Sequence, residues 1–536
     1  FRYKYTIAYI MLVCLIFKDL LLERAVGMSE VCVELVGKLV GEMLGLSKEE
    51  LSPSDNLISL GLGSLDIMRI AGLLTKNGCN VTFSELVSNP CMASWVNFAR
   101  ERSARSSSNG SPLLGSANYS KGDPFPITSV QHAYMVGRRD GQELGGTACH
   151  AYMEFECGSL DAAKLERAVE LLILRHPMLR ARFSDDGTAR IEDKVTWKGL
   201  TTYRVEGAGN PDSRIEGIRQ ELSHLRFDIE QDDLIDVRLT VVSPKRTIMH
   251  INVDLLAADV LSIQVLLEDL AHLYDGTDLA PIEIDFMEYA RRTGIGEDAR
   301  NEDREYWLNR IDNMPGGPSL PLKAPMESVK RSQFTRMEYL IDSKSWKNFT
   351  EKGRQIGVTQ SMGIAAVYAK ALSRWSEDKK FLLNLPLFNR KPIHPDVDKI
   401  VSDFTSLILL EADCANAISL LELASQMQGR FQQDVAHSSF GAVEVLRELS
   451  HRCPNDPKKA PVVFASNIGT QFISNKVEDV FGPLSKMLAE TPQVLLDHQI
   501  YDHKNGLLLA WDYVSELLDD KIAKQMFEAY CTAVRF

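Results

Sequence analysis

The sequence predicts an α+β chain of several domains, a small four-helix bundle followed by a two-lobed α/β unit. Three observations carry this. At 536 residues the chain is too long for one hydrophobic core and suffices for about three or four compact units. Up to Arg102 its apolar residues recur at helical spacing, whereas from Pro124 onward strand-like and helix-like segments alternate. Between the two, residues 103–123 open on Ser-Ala-Arg-Ser-Ser-Ser-Asn-Gly-Ser-Pro. That composition has too little apolar area to offset the entropy of ordering and reads as a flexible linker.

Tyr5–Phe17 is an apolar run preceded by Arg2 and Lys4. It is shorter than the roughly 20 residues that span a bilayer, and no small-x-small cleavage site follows it. Met28 then begins a stretch that reads as a natural start, so residues 1–27 are expected to be an extension outside the fold and 28–102 the bundle. In the bundle, Val31, Leu35, Leu39, Met43 and Leu44 mark a helix over 29–45. Ser52-Pro53-Ser54-Asp55-Asn56 is turn chemistry. A second helix begins at Ser64 with Leu65, Met68, Ile70 and Leu73 facing inward, residues 79–83 read as extended, and a last helix covers 92–102.

Strands are expected at 151–156, 248–254, 336–341, 381–387, 461–466 and 507–511. Helices are expected at 161–175, 261–274, 303–312, 343–357, 361–375 and 417–434. The alternation divides into an N-lobe over 124–305 and a C-lobe over 306–536, with no internal repeat and no membrane span.

The net charge of −13 disfavours nucleic acid, because a phosphate-binding surface needs excess Lys and Arg. The nine cysteines are scattered without Cys-x-x-Cys pairs or Cys/His spacing for zinc. Reduced thiols in a cytoplasmic protein without a metal are the expectation.

Two short motifs carry chemistry. Leu60-Gly61-Leu62-Gly63-Ser64-Leu65 places a hydroxyl at the start of a helix on a Gly-bearing loop, where free N–H groups and the helix dipole favour an anion. Asp254-Leu-Leu-Ala-Ala-Asp259-Val-Leu-Ser262 follows the apolar run 248–253. It puts two carboxylates and a hydroxyl at a strand-to-helix junction, with Ser262 a candidate cap.

The first motif, with Val81-Thr82-Phe83 and Trp95 downstream, resembles the 4′-phosphopantetheine site of aryl carrier domains at the front of siderophore synthetases. Gly63 stands where Asp is usual. The second resembles the signature of the heterocyclization domains of nonribosomal peptide synthetases. Ordinary condensation domains read His-His-x-x-x-Asp-Gly there, so Leu255 takes the place of the catalytic histidine.

Further ordered matches support this resemblance: 125–138, 175–183, Tyr306-Trp307, 385–390, Asp403-Phe404-Thr405, His437, 461–467, 491–499 and Trp511-Asp512. Together they cover nearly all of 124–525. The likeness extends to siderophore synthetases of the pyochelin and yersiniabactin type. It implies a condensation/chloramphenicol-acetyltransferase-like fold.

It also implies an activity: an aryl thioester, expected to be salicyl, held on phosphopantetheine at Ser64 is joined to a cysteinyl thioester, and the amide is cyclodehydrated to a hydroxyphenyl-thiazoline. Cyclodehydration needs a proton taken from the thiol and one delivered to a leaving hydroxyl, which one carboxyl group of raised pKa can do in turn. The resemblance assigns that work to Asp497. Gln493 is a candidate for orienting the intermediate. Ala465 stands where relatives carry an assisting threonine, leaving Ser466 or another group to supply a hydroxyl.

Asp254 and Asp259 are candidates for catalysis or for holding the lobes together. His250 and His498 are lesser candidates. Arg138 and Arg180 could hold charge networks or the pantetheine phosphate.

Implied partners are a phosphopantetheinyl transferase, a stand-alone aryl-AMP ligase, and downstream adenylation and peptidyl carrier domains, since no nucleotide-binding Gly-rich loop occurs here. The alternatives are a condensation-only domain, motivated by Ala465, and a non-catalytic acyl-carrier/docking fragment. An acetyltransferase-like enzyme fits poorly, because it depends on the histidine that Leu255 replaces.

Overall fold

The computed structural model describes residues 33–535, apart from 48–49, 78, 80, 107–121, 206–209, 295–300, 389, 392 and 454–457. The expected extension at 1–27 and most of the expected linker lie outside the described residues.

The bundle contains α1 (33–44), α2 (Leu57–Leu60), α3 (Ser64–Lys76), α4 (Phe83–Ser88) and α5 (Met92–Ser106). Asn56 caps α2 by accepting from the N–H groups of Ile58 and Ser59. Of the stretch 79–83 expected to be extended, Thr82 is extended and Phe83 already opens a helix. Thr82 and Glu85 form a reciprocal capping box that starts α4.

The inward stripe of α3 is Ile67, Ile70, Ala71 and Leu74, while Leu73 is 37% exposed. The assignment of Leu73 to the core is therefore corrected: the i, i+3, i+4, i+7 repeat runs from Ile67 and bypasses it. Helix α5 continues to Ser106, four residues past its expected end. Trp95 is fully buried and donates its indole N–H to Leu86 O at 3.0 Å.

The N-lobe is built from β1 (Phe125–Pro126), α6 (Ser129–Gly137), β2 (His150–Cys157), α7 (Ala162–Arg175), β3 (Ala181–Ser184), β4 (Thr188–Ile191), β5 (Thr201–Arg204), α8 (Pro211–Leu222), β6 (Ile235–Ser243), β7 (Arg246–Asp254), α9 (Val260–Tyr274) and α10 (Phe286–Thr293).

The C-lobe follows with α11 (Asn301–Leu308), β8 (Phe334–Asp342), α12 (Ser343–Gln355), α13 (Gln360–Leu372), β9 (Lys380–Phe388), β10 (Thr405–Asp413), α14 (Leu420–Ala436), α15 (Ala442–Arg452), β11 (Val462–Gln471), α16 (Asn475–Phe481), β12 (Leu484–Glu490), β13 (Leu496–His503), β14 (Gly506–Val514) and α17 (Asp520–Arg535). The helix expected at 303–312 stops at Leu308, and a separate short turn covers Ile311–Asn313. The helix expected from 417 starts at Leu420, where Ser419 accepts from Glu422 N.

The C-lobe sheet runs β10-β9-β11-β13-β14-β8 and the N-lobe sheet β12-β2-β7-β6-β5, with a small β1-β4-β3 sheet beside it. Strand β12 leaves the C-lobe and lies antiparallel to β2, pairing Leu484 with Phe155 and Glu490 with His150. The chain then returns to the C-lobe as β13. This exchange ties the lobes together by main-chain hydrogen bonds.

Six described cysteines are free thiols. Cys79 is the exception to the expectation of reduced thiols: it is disulfide-bonded. Spacing could not announce that pairing, since the fold alone decides which thiols meet. Among the described residues no helix is long and apolar enough to cross a membrane.

Gly482, at the approach to β12, has φ 77°, and a Cβ there would lie 2.1 Å from Glu156 O. Gly482→Ala is expected to cost about 2 kcal/mol or more, read as a lower midpoint in denaturant titration of the full chain.

Candidate active site

Strand alternation builds the site. A cavity of about 570 Å³ opens between the lobes, floored by Val463, Ala465 and Asn467 of β11 and by Asp497, Gln499 and Tyr501 of β13. The two strands run parallel in register, with Val463 opposite Asp497, Ala465 opposite Gln499 and Asn467 opposite Tyr501. Ser466 therefore points to the other face, where its hydroxyl meets that of Ser361 at 2.8 Å. It does not stand in for the hydroxyl that Ala465 lacks.

Asp497 is 6% exposed. Its Oδ2 accepts from Gln499 Nε2 at 2.7 Å, and its Oδ1 has no partner among the described residues. Gln499 is held in turn, because its Oε1 accepts from Arg336 Nη2 at 2.7 Å and from the Tyr501 hydroxyl at 2.8 Å. Arg336 forks onto Asp512, Nε to Oδ1 at 2.7 Å and Nη2 to Oδ2 at 2.5 Å. Burial, reinforced by the Asp512 charge and opposed by Gln499 and Arg336, pushes the Asp497 carboxyl up to about 7. Such a group can accept a proton and return it near neutrality.

The aspartate pair divides differently. Asp254 is fully buried, and both its oxygens are taken by Arg138, Nη1 to Oδ1 at 3.0 Å and Nη2 to Oδ2 at 2.7 Å. It does not line the cavity. Asp259 does, but its carboxylate caps α9 through Ser262 N at 2.7 Å and accepts from Arg390 Nη2 at 3.0 Å. Arg390 also donates to the Ser262 hydroxyl at 2.8 Å, which itself donates to Ser402 O at 2.6 Å. Asp259 and Ser262 thus stitch the N-lobe to the C-lobe loop before β10.

Gln493 lines the cavity on the crossover from β12 to β13. Its φ is 64°, and Leu144, opposite, has φ 52°; these are the two non-glycine residues with positive φ among the described residues. Gln493 N donates to Leu144 O at 2.6 Å. Two side-chain-bearing residues held left-handed at one wall of a cavity are strain of the kind that gathers at functional sites.

The remaining candidates are structural. His498 faces away from the cavity, bonded to Ala510 O and the Tyr530 hydroxyl, and burial lowers it to about 3. His250 is buried between Tyr152 and Thr240 and lowered by burial to about 4. Arg180 donates to the carbonyl oxygens of Ile173 and Glu192. Residues that sequence reasoning passed over are Arg336, Arg390 and Tyr134. Tyr134 and Arg390 lie inside motifs and Arg336 opens an expected strand, and for the two arginines a charged residue beside an apolar run was the available signal. Among the described residues no group of His, Cys, Asp or Glu is placed to hold a metal.

The bundle rests on the C-lobe. Ser88 Oγ donates to Gln432 O at 3.3 Å, and a Cβ on Gly357 would lie 3.3 Å from Ser59 Oγ. Helix α3 packs near the end of β11, close enough for the Asp66 charge to raise Asp502 further beyond the effect of burial. Gly61 has φ 121° in the turn before Ser64, and a Cβ there would lie 2.8 Å from Arg354 Nη2. A helix start on a glycine turn with a cation over it suits a phosphodiester.

Known proteins bear on this geometry. The Condensation domain family matches residues 125–535, and the phosphopantetheine attachment site family matches residues 34–99. Phenyloxazoline synthase MbtB of Mycobacterium sp. (strain MCS) is 35% identical over 91% of this chain and 42% of its own length. Pyochelin synthetase PchE of Pseudomonas aeruginosa (strain UCBPP-PA14) is 33% identical over 96% of this chain and 36% of its own. The chain thus spans well under half the length of these relatives. The cyclization-docking bidomain of the synthetase EpoB from Sorangium cellulosum superposes with a TM-score of 0.71 at 30% identity, covering 77% of this chain and 85% of that one.

If Asp254 serves packing, Arg138→Met should cost about 3–5 kcal/mol by leaving a buried charge unpaired, and Arg138→Met with Asp254→Leu should recover most of it. Denaturant midpoints of the single and double variants check this.

Proposed function

The chain belongs to the Condensation domain family and carries a phosphopantetheine attachment domain ahead of it, and from this premise we propose that it is the aryl-carrier and heterocyclization part of a siderophore synthetase. The cofactor is 4′-phosphopantetheine, held covalently on a serine; Ser64, opening α3, is the serine proposed. When bound, the arm presents the acyl group through a sulfur that departs readily. The substrates proposed are a salicyl group on this carrier and a cysteinyl group on a downstream carrier, giving a hydroxyphenyl-thiazoline. MbtB is named for a phenyloxazoline, so serine or threonine is the competing nucleophile. A phosphopantetheinyl transferase and further synthetase domains are the partners, with an aryl-AMP ligase loading Ser64 and adenylation and peptidyl carrier domains following.

The observation that carries the reading is Asp497 in the cavity, with one oxygen held by Gln499 and the other free. Alignment of the two acyl groups in one cavity supplies much of amide formation. For ring closure the thiol sulfur bonds to the amide carbon while Asp497 takes the thiol proton and passes it to the carbonyl oxygen; the resulting hydroxyl then leaves as water with the proton lost from the amide nitrogen, relayed by the same carboxyl group, as the C=N bond forms. Gln493, at the strained crossover, is placed to orient the amide. Asp254 and Asp259 act through the packing they maintain, and Ser466 through its pairing with Ser361. The cavity also offers Tyr134 and Thr405 hydroxyls, so absence of one at Ala465 does not leave it without donors. A condensation-only enzyme is the second reading, favoured by Ala465 itself.

Loaded chain given a cysteinyl carrier should yield a product lighter than the amide by one water, and Asp497→Asn should stop at the amide with ring formation about 100-fold slower or more. Mass spectrometry of the carrier-bound product decides between the readings, since wild-type product that retains the water sinks cyclization. Ring formation should fall as pH drops below about 7, where Asp497 is protonated and cannot take the thiol proton, and Asp497→Asn should remove that limb. Ser64→Ala should abolish loading.

A further inference from the structure

Among the described residues, three side chains lining the cavity carry a buried oxygen with no hydrogen-bond partner: Asn384 Oδ1, Asp497 Oδ1 and Asp403 Oδ2. The first is an amide and the second serves ring closure in the reading above. Asp403, 1% exposed, has no role yet.

Its placement is specific. Asp403 Oδ1 accepts from Thr405 N at 3.0 Å, which leaves Oδ2 free. The backbone on either side is tied to the aspartate motif. Asp259 N donates to Ser402 O at 3.1 Å, and Phe404 N donates to Asp259 Oδ2 at 3.4 Å. Asp403 is thereby pinned to the loop that begins at Leu255, the side chain standing where relatives carry the basic imidazole.

We propose that Asp403 is the proton acceptor for amide formation, standing in the cavity for the imidazole that Leu255 rules out; this rests on the two-step reading given above. The amine nitrogen attacks the acyl carbon, the C–N bond forms, and the C–S bond breaks with its electron pair going to the carrier's sulfur. The nitrogen's proton goes to Asp403 Oδ2 and from there to that sulfur, so the carboxylate is regenerated and no other reactant is consumed. Two carboxyl groups then divide two proton transfers, Asp403 for the amide and Asp497 for the ring.

The surroundings agree with this division. Burial, with the Asp259 charge adding and Thr405 and Arg390 opposing, pushes Asp403 up to about 7. It is therefore ionised from neutrality upward and basic enough to accept. The other titratable groups that face it do not compete. Burial holds both the Tyr134 hydroxyl and the Cys149 thiol well above their ordinary ranges, and the Asp259 carboxylate is committed to Arg390 and Ser262.

The test compares full-length wild type, Asp403→Asn and Asp497→Asn, each with its arm installed and salicyl-loaded, on a cysteinyl carrier and separately on a carrier bearing preformed N-salicyl-cysteine. Asp403→Asn should lower amide formation by about 100-fold while closing the ring of the preformed amide at the wild-type rate, which also shows that it has folded. Asp497→Asn should do the reverse. Infrared titration of the unloaded chain should show carboxylic acid absorption from two buried groups that disappears across neutrality in wild type, with one contribution missing from Asp403→Asn and the other from Asp497→Asn.

Amide formation left intact by Asp403→Asn overturns the proposal. So do loss of both steps, accumulation of open amide, and an Asp403 band that persists into alkaline pH. A wild type that forms the amide and never loses water defeats the cyclization reading instead, and leaves the Asp403 comparison standing.

Discussion

The fork of Arg336 onto Asp512 is the interaction on which the rest of the site depends. A guanidinium can only donate, so the third contact of Arg336 fixes which end of the Gln499 amide faces it. That choice turns the Gln499 N–H toward Asp497 and leaves one Asp497 oxygen bare toward the cavity. A bare carboxyl oxygen in a buried place is costly to charge, and that cost raises its proton affinity. The reactivity attributed to Asp497 is therefore set two residues away along the strand and across to β8, by groups that touch no substrate.

Among the buried guanidinium–carboxylate pairs of the described residues, three frame the cavity: Arg138 with Asp254, Arg390 with Asp259, and Arg336 with Asp512. Such pairs add little net stability compared with apolar packing, but each admits few geometries. One sits within the N-lobe, one across the lobes and one within the C-lobe. Together they fix the cavity walls relative to one another, while the open oxygens of Asp403 and Asp497 remain for chemistry.

Much of the fold was legible because apolar periodicity survives without partners. Strands β2, β7 and β9 and helices α7, α9 and α13 follow their patterns to within a few residues. What was not legible depends on caps and on distant pairing. The capping box at Thr82 starts a helix right after the extended stretch, and Leu73 reads as core until the packing of α3 selects Ile67 as the start of the stripe. In the site, Asp497 and Gln493 reach the cavity. Asp254 does not, because a motif shows which residue types are present and not which of them an arginine has already claimed. Ser466 was a candidate only while its strand phase was unknown. Asp403 sat in a quoted motif and drew no notice, since its importance lies in contacts with Asp259 that are remote in sequence.

The exchange of β12 into the N-lobe sheet also governs how the molecule comes into being. During synthesis the N-lobe emerges first, yet the edge of β2 stays open until Leu484–Glu490 have been made, long after the rest of that sheet. An open edge is a template for the wrong strand, and distant pairing is slow to form. The two lobes thus cannot mature one after the other like beads. The first is finished by the second, and a nascent chain halted before β12 holds an incomplete sheet with nothing of its own to close it.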